Sequence, residues 1–246
     1  MIIQRGLKRN ILTLKDLKEE WSAMEGKRQA GIRAAGFVTD GMTVGLGTGS
    51  TVYHTILKLG EMAKEGLKLR CVSTSEATTN LAESLNLTLV PMSEVEEIDI
   101  TIDGADEVDR SFCGIKGGGG ALLYEKLVAD ISRRVIWVVD RSKLVDRLGA
   151  FPLPVEIVPF SHVQLMRKLR AMGFSPRLRM AGNCPFLTDE KNYIIDLKTG
   201  FIDDPEGLHR QLKLMPGVIE TGLFIAMADT VVVGSEDGAE VLESVK

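Results

Sequence analysis

Short β-branched runs alternate with longer stretches of helical periodicity over the first 150 residues, which predicts a mostly parallel sheet flanked by helices. Four strands stand out: MTVGLG (42–47), LRCVST (69–74), IDITID (98–103) and RVIWVVD (134–140), with LTLVPM (87–92) as a fifth. Helices are predicted over 50–65, 75–86 and 120–132, the second capped by Thr74 or Ser75. The pattern assigns no element ahead of residue 42.

Near residue 150 the texture changes. FPLPVEIVPF (151–160) holds three prolines, which suit neither helix interiors nor central strands, and marks a boundary. Beyond it come VEIV, a helix over 161–172 ended by Gly173, RLRM, YIID, a helix over 205–215 and GVIE. That order is β-α-β-β-α-β, the split arrangement of ferredoxin-like α+β domains. Runs at 222–227 and 230–234 are strand-like again and are predicted to rejoin the first sheet. The expected organisation is a Rossmann-like α/β catalytic domain from residues 1–150 and 222–246, with a smaller α+β domain over 151–221 inserted in it.

Composition narrows the function classes. Hydrophobic residues at 44% and charged residues at 26% describe an ordinary globular protein. A net charge of −4 without a basic cluster argues against a nucleic-acid face. No apolar run approaches the ~20 residues of a membrane span. Cys71, Cys113 and Cys184 are odd in number and outside any CxxC pattern, which fits a reducing compartment, the cytoplasm. His54, His162 and His209 are dispersed and offer no metal-ligand spacing. Residues 1–15 carry Arg5, Lys8, Arg9 and Lys15 without an acid, faintly like a transit segment, although a plain N-terminal arm is the simpler reading.

Three stretches could carry chemistry. GLGTGST (45–51) turns a strand into a helix N-terminus, where free amides and the helix dipole suit a phosphate at Thr48, Gly49, Ser50 and Thr51. It is neither dinucleotide fingerprint nor P-loop: the first would need glycine where Ser50 stands, and the second a GK pair. A tight turn capped by Ser50 or Thr51 would explain the same residues without a ligand. DGADEVD (103–109) ends a strand where open α/β sheets place their ligands, and crowds Asp103, Asp106, Glu107 and Asp109 beside Gly104 and Ala105. Buried together, these carboxyls would raise one another's pKa; they could hold Mg²⁺ or sugar hydroxyls, or form a solvated acidic turn.

The third stretch, KGGGGALLYEK (116–126), puts Lys116 before four glycines whose entropy costs roughly 2 to 4 kcal/mol against alanine. Amides of Gly117, Gly118 and Gly119 converging on an oxyanion would justify them. Leu123, Leu127, Val128 and Ile131 form the expected packing stripe of the following helix, and Glu125 lies off it, either a partner of the helix dipole or a base projecting toward the cradle. Lys143 follows another strand end, on the ligand side of the sheet. Together these parts suit proton abstraction beside the carbonyl of a phosphorylated small molecule.

GLGTGST, DGADEVD, KGGGGALLYEKLVA, FPLPVEIVP and MPGVIETGLF together resemble the type A ribose-5-phosphate isomerases, from about residue 20 to the end. The resemblance implies interconversion of ribose 5-phosphate and ribulose 5-phosphate in the pentose phosphate pathway, without cofactor, in a homodimer or homotetramer assembled through the smaller domain. It implies that residues 48–51 and Lys143 bind phosphate, that residues 103–106 and 116–119 line the sugar site, and that Glu125 is the general base. Asp103 would open the sugar ring, with Asp106 and Lys116 supporting the reactive oxygens. The N-terminal arm is longer than in compact members, and Leu123 and Tyr124 replace residues that are often more polar. GLGTGST alone also resembles aminosugar-phosphate deaminases, which would want a histidine such as His54, and sugar-sensing domains of repressors, which would want a DNA-binding helix-turn-helix.

Overall fold

A computed structural model of the chain describes residues 14–244; the basic segment 1–13 lies outside them. The chain runs α1 (Leu14–Ala35), β1 (Thr43–Leu46), α2 (Val52–Lys64), β2 (Arg70–Ser73), α3 (Glu76–Ser84), β3 (Thr88–Leu89) and β4 (Ile100–Gly104). A short pair, β5 (Glu107–Val108) and β6 (Gly114–Ile115), precedes α4 (Leu122–Asp130) and β7 (Val135–Asp140). Next come β8 (Leu153–Ile157), α5 (His162–Ala171), β9 (Ser175–Leu178), β10 (Met180–Ala181), β11 (Cys184–Pro185), β12 (Tyr193–Lys198), α6 (Pro205–Lys213) and β13 (Val218–Thr221). The described chain closes with β14 (Leu223–Phe224), β15 (Thr230–Ser235) and β16 (Gly238–Glu243).

The large sheet has the order β16-β15-β7-β4-β1-β2-β3, parallel throughout except for the edge hairpin of β15 and β16. The chain winds outward from β1 to β3 and then crosses back to β4, so a crevice opens between the C-terminal ends of β1 and β4, where such sheets bind ligands. All six residues of β7 are buried, as a central parallel strand requires. Ile136 and Val138 pack toward the helix-covered face with Val44, Leu59 and Ile102. Val135, Trp137 and Val139 alternate to the other face, with Phe224 and Val231.

The four-stranded sheet β13-β8-β12-β9 is antiparallel, and its core of Leu153, Val155, Leu165, Ile195, Leu197 and Leu212 is covered by α5 and α6. A small sheet, β14-β6-β5, joins the two. Ser75 caps α3 by accepting from Thr78 N, and Asp204 caps α6 ahead of Pro205 by accepting from Gly207 N.

Three features depart from the sequence pattern. The first is α1, whose buried positions from residue 21 onward are the small residues Gly26, Ala30, Gly31, Ala34 and Ala35. At Gly26 and Gly234 the helix backbone lies so close to β15 that a Cβ on Gly234 would sit 1.8 Å from the Gly26 carbonyl oxygen. Second, the run 87–92 makes only the two-residue β3, because Pro91 leads into a one-turn helix at Met92–Glu94. Third, of the strand-like run 222–227 only Leu223–Phe224 pairs, and it pairs with β6 rather than with the large sheet, which β15 rejoins. Among the described residues no helix is long and apolar enough to cross a membrane.

Candidate active site

The crevice beyond β1 and β4 holds a cavity of about 150 Å³ lined by Thr48, Gly49, Ser50, Thr51, Gly104, Ala105, Asp106, Lys116, Gly117, Gly118, Gly119, Glu125 and Lys143. The three glycine-containing motifs therefore meet at one place. Lys27, from α1, lines the same cavity. Sequence reasoning missed it because no element was assigned to that segment.

At one end the loop into α2 is braced from below. Thr48 donates its hydroxyl to Ser75 Oγ at 2.8 Å and lies 2.9 Å from Thr74 Oγ1, while Thr78 Oγ1 donates to the Gly47 carbonyl. With Thr48 held inward, Gly49 and Ser50 remain exposed at the helix start, beside Lys27 and Lys143. Amides, helix dipole and two ammonium groups make this end a seat for an anion.

At the other end the four carboxylates of residues 103–109 separate instead of clustering. Glu107 turns away and accepts from Gly149 N at 2.7 Å, bracing the crossing between the sheets, and Asp109 caps its own turn through Ser111 N and Cys113 N. Asp106 faces the cavity and accepts from Gly118 N at 2.8 Å. Asp103 lies behind the lining, 2% exposed, accepting from Thr48 N at 3.1 Å and Gly104 N at 2.7 Å. No two of the four share a site that would hold a divalent cation.

Lys116 is the centre of the dry end. Its backbone N–H donates to Gly222 O at 2.8 Å, and its ammonium donates to the Gly104 carbonyl. Asp103 Oδ2 lies 3.0 Å from Nζ and Glu125 Oε2 3.3 Å, with all three side chains at most 5% exposed. Burial pushes the Asp103 carboxyl above its ordinary value against the pull of Lys116 and of the Gly104 and Thr48 amides. Burial alone would lower the Lys116 ammonium, but Asp103 and Glu125 outweigh it and raise it. Burial first, and the Asp103 charge second, push Glu125 up to about 8, with Lys116 offsetting only part. One ammonium beside two dry carboxyls leaves Glu125 poised to exchange a proton near neutral pH.

Glu125 reaches the cavity because α4 is rotated from the expected stripe. Leu122, Glu125, Val128 and Ala129 are buried, whereas Leu127 is 49% exposed. The helix leans on β4 and on β13 together, so its inner face includes the cavity wall. The glycine turn is specified locally: Gly117 has φ +99°, a conformation that side-chain-bearing residues rarely adopt. His54 packs edge-on against Tyr53 and does not line the cavity.

A family model described as ribose 5-phosphate isomerase A (phosphoriboisomerase A) matches residues 70–238. Ribose-5-phosphate isomerase A of Streptococcus pneumoniae (strain Hungary19A-6) is 50% identical over 221 residues, covering 89% of this chain and 97% of its own. That of Streptococcus gordonii is 50% identical over 221 residues, covering 89% and 98%. Among solved structures, ribose 5-phosphate isomerase from Plasmodium falciparum superposes with a TM-score of 0.87 at 35% identity, over 91% of this chain and all of its own, 100%. A D-ribose-5-phosphate isomerase in complex with phospho-erythronic acid gives 0.87 at 38%, over 90% and 99%.

Proposed function

The chain belongs to the ribose 5-phosphate isomerase A family, and from that footing we propose that it passes a proton between C1 and C2 of its sugar through an enediolate, with Glu125 as base. The chain is thus an isomerase of ribose 5-phosphate and ribulose 5-phosphate. In the proposed reaction the sugar's phosphate sits on the amides of residues 49–51 with Lys27 and Lys143, which aims the carbon chain at the dry end. Ring opening uses Asp106, which faces the cavity, and Lys116, through which the buried Asp103 acts at 3.0 Å.

Glu125 then takes the proton from C2. The electron pair left behind forms the C1=C2 bond, and negative charge gathers on O1, where Lys116 and the glycine-turn amides hold it. The O2 proton passes to O1, Glu125 returns its proton to C1, and the carbonyl stands at C2. No electron or group is gained or lost, so the residues of one cavity suffice. We also propose that residues 151–221 act as the smaller domain, and that the chain assembles through it as a homodimer or homotetramer.

One observation carries the mechanism: a carboxyl 4% exposed lines the cavity 3.3 Å from an ammonium that can also reach a sugar oxygen. Glu125→Gln should lower kcat by at least ~10²-fold in a coupled ketose assay, the low end for a lost general base. Phospho-erythronic acid, the ligand of a solved relative, presents a carboxylate where an enediolate carries charge. Calorimetry should show it binding wild type and variant with similar affinity. Normal turnover by the variant would remove Glu125 from the role.

A further inference from the structure

Arg179 lies between β9 and β10, at the end of the four-stranded sheet and outside the cavity lining, yet its guanidinium reaches across to the glycine turn. Nη1 donates to the Gly117 carbonyl at 2.8 Å and to the Gly118 carbonyl at 3.1 Å. Nε donates to Asp196 Oδ2 at 3.0 Å, and Nη2 pairs with Asp196 Oδ1. The backbone is pinned too, Arg179 N donating to Ile194 O at 2.8 Å and its carbonyl accepting from Phe186 N at 2.9 Å. Its side chain is only 15% exposed.

In a trans peptide the C=O and N–H point in opposite directions. Fixing the Gly117 carbonyl on Arg179 therefore turns the Gly118 N–H the other way, where it meets Asp106 Oδ2 at 2.8 Å. Fixing the Gly118 carbonyl turns the Gly119 N–H away from Arg179, toward the cavity that Gly119 lines, and there it meets no acceptor among the described residues. Within the turn Gly120 N donates to the Gly117 carbonyl at 3.0 Å, but among the described residues only Arg179 holds the Gly118 carbonyl, and a glycine peptide left free can flip at little cost. A cation on the carbonyl side also polarises each amide and makes it a better donor.

We propose that Arg179, held by Asp196, is a positioning residue for the isomerisation: it sets the peptide orientation of the 117–119 turn and so leaves the Gly119 N–H free to donate to the enediolate while the Gly118 N–H holds Asp106. The inference rests on reading that turn as the oxyanion cradle. It gives the four-stranded sheet a part in catalysis, since the clamp and its carboxylate anchor both come from residues 175–198.

The test compares Arg179→Ala, Arg179→Lys and Asp196→Asn with wild type and Glu125→Gln. Arg179→Ala should lose kcat on the order of 10²-fold, the effect of misplaced catalytic geometry, with KM within about 3-fold. Affinity for phospho-erythronic acid should fall in parallel with kcat/KM, while competition by inorganic phosphate stays unchanged, because the phosphate end is built from other residues. Guanidinium added to the assay should restore part of the Arg179→Ala rate and leave wild type unaffected. Arg179→Lys, which keeps the charge without the fork, should remain well below wild type, and Asp196→Asn should fall between them.

If kcat of Arg179→Ala and Arg179→Lys stays within about 2-fold of wild type while Glu125→Gln is inactive, the clamp is dispensable and the isomerase reading stands. Equal losses of kcat and inorganic-phosphate affinity would show general loosening and overturn the positioning role. Full activity of Glu125→Gln, or failure of wild type to bind the aldonate more tightly than inorganic phosphate, would instead sink the proposed chemistry itself.

Discussion

A carboxyl held near 8 at Glu125 is largely protonated where ordinary glutamates are fully charged. Its base form therefore grows in through that value, and kcat/KM should climb with pH and level off above it. The same shift acts on stability. The folded value lies above the unfolded 4.5, so the folded state keeps a proton that the unfolded chain releases; the resulting stability is complete below about 4.5 and lost as pH rises through about 8. Glu125→Gln carries no charge at any pH, so denaturant titrations across this window should show the parent losing up to about 5 kcal/mol relative to the variant. Parallel curves would contradict the shift. At the proposed phosphate end, Lys27→Ala and Lys143→Ala should each raise KM about 5-fold or more and change kcat little, because the proposed phosphate contacts would be made in ground and transition states alike. A selective loss of kcat in steady-state assays would place them in the chemistry instead. Lys143 was legible because it follows a strand end, whereas Lys27 belongs to a helix whose pattern gave no signal. Asp103 was legible as a site residue but not as one behind the lining, since nothing local shows that the Thr48 and Gly104 amides both donate to its Oδ1 while Oδ2 faces Lys116.

At the scale of elements, α1 shows what hydrophobic periodicity does not reach. From residue 21 onward its large apolar residues Trp21, Met24 and Ile32 are 61%, 53% and 36% exposed, while its buried face there is alanine and glycine, chosen for closeness of approach rather than for apolar area. Such a face leaves no stripe of large side chains to count. α4 misleads in the opposite way, because a stripe of leucines suggests a face that the real packing, shared between β4 and β13, rotates. The contact between α1 and β15 can be tested. Gly234→Ala would force its Cβ into the Gly26 backbone, and backbone on both sides leaves no flexible side chain to yield. The helix must shift outward, at a cost of about 1 to 3 kcal/mol for an overpacked contact. Because Lys27 follows Gly26, the same shift should withdraw its ammonium from the cavity and raise KM for the sugar phosphate. A variant with lowered melting temperature and unchanged KM would separate the helix from the site.

For the whole molecule, most of the two larger sheets could be read from the sequence because strands such as β4, β7, β8 and β12 are long enough to show their period, and because three prolines mark the crossing between the sheets; the two-residue β3 and the edge strand β16 could not. The joining sheet could not: β5, β6 and β14 have two residues each, too short for any periodicity, and β14 pairs with β6 across more than a hundred residues of sequence. Assembly belongs to this scale as well. Phe160 is 97% exposed and Leu214 79%, both beyond one end of the four-stranded sheet, where Val158 N donates to Gly217 O. An aromatic ring so fully exposed gains nothing for a lone chain, whereas burying both side chains against a second copy would remove apolar surface worth roughly 2 to 3 kcal/mol each. The double substitution Phe160→Asp and Leu214→Asp should therefore reduce the particle mass in sedimentation velocity toward that of a single chain. All the cavity-lining residues named above come from one chain, so kcat of the smaller species should match that of the parent. An unchanged mass would place the contact elsewhere, and a collapse of kcat along with the mass would mean that a neighbouring copy helps hold the site in shape.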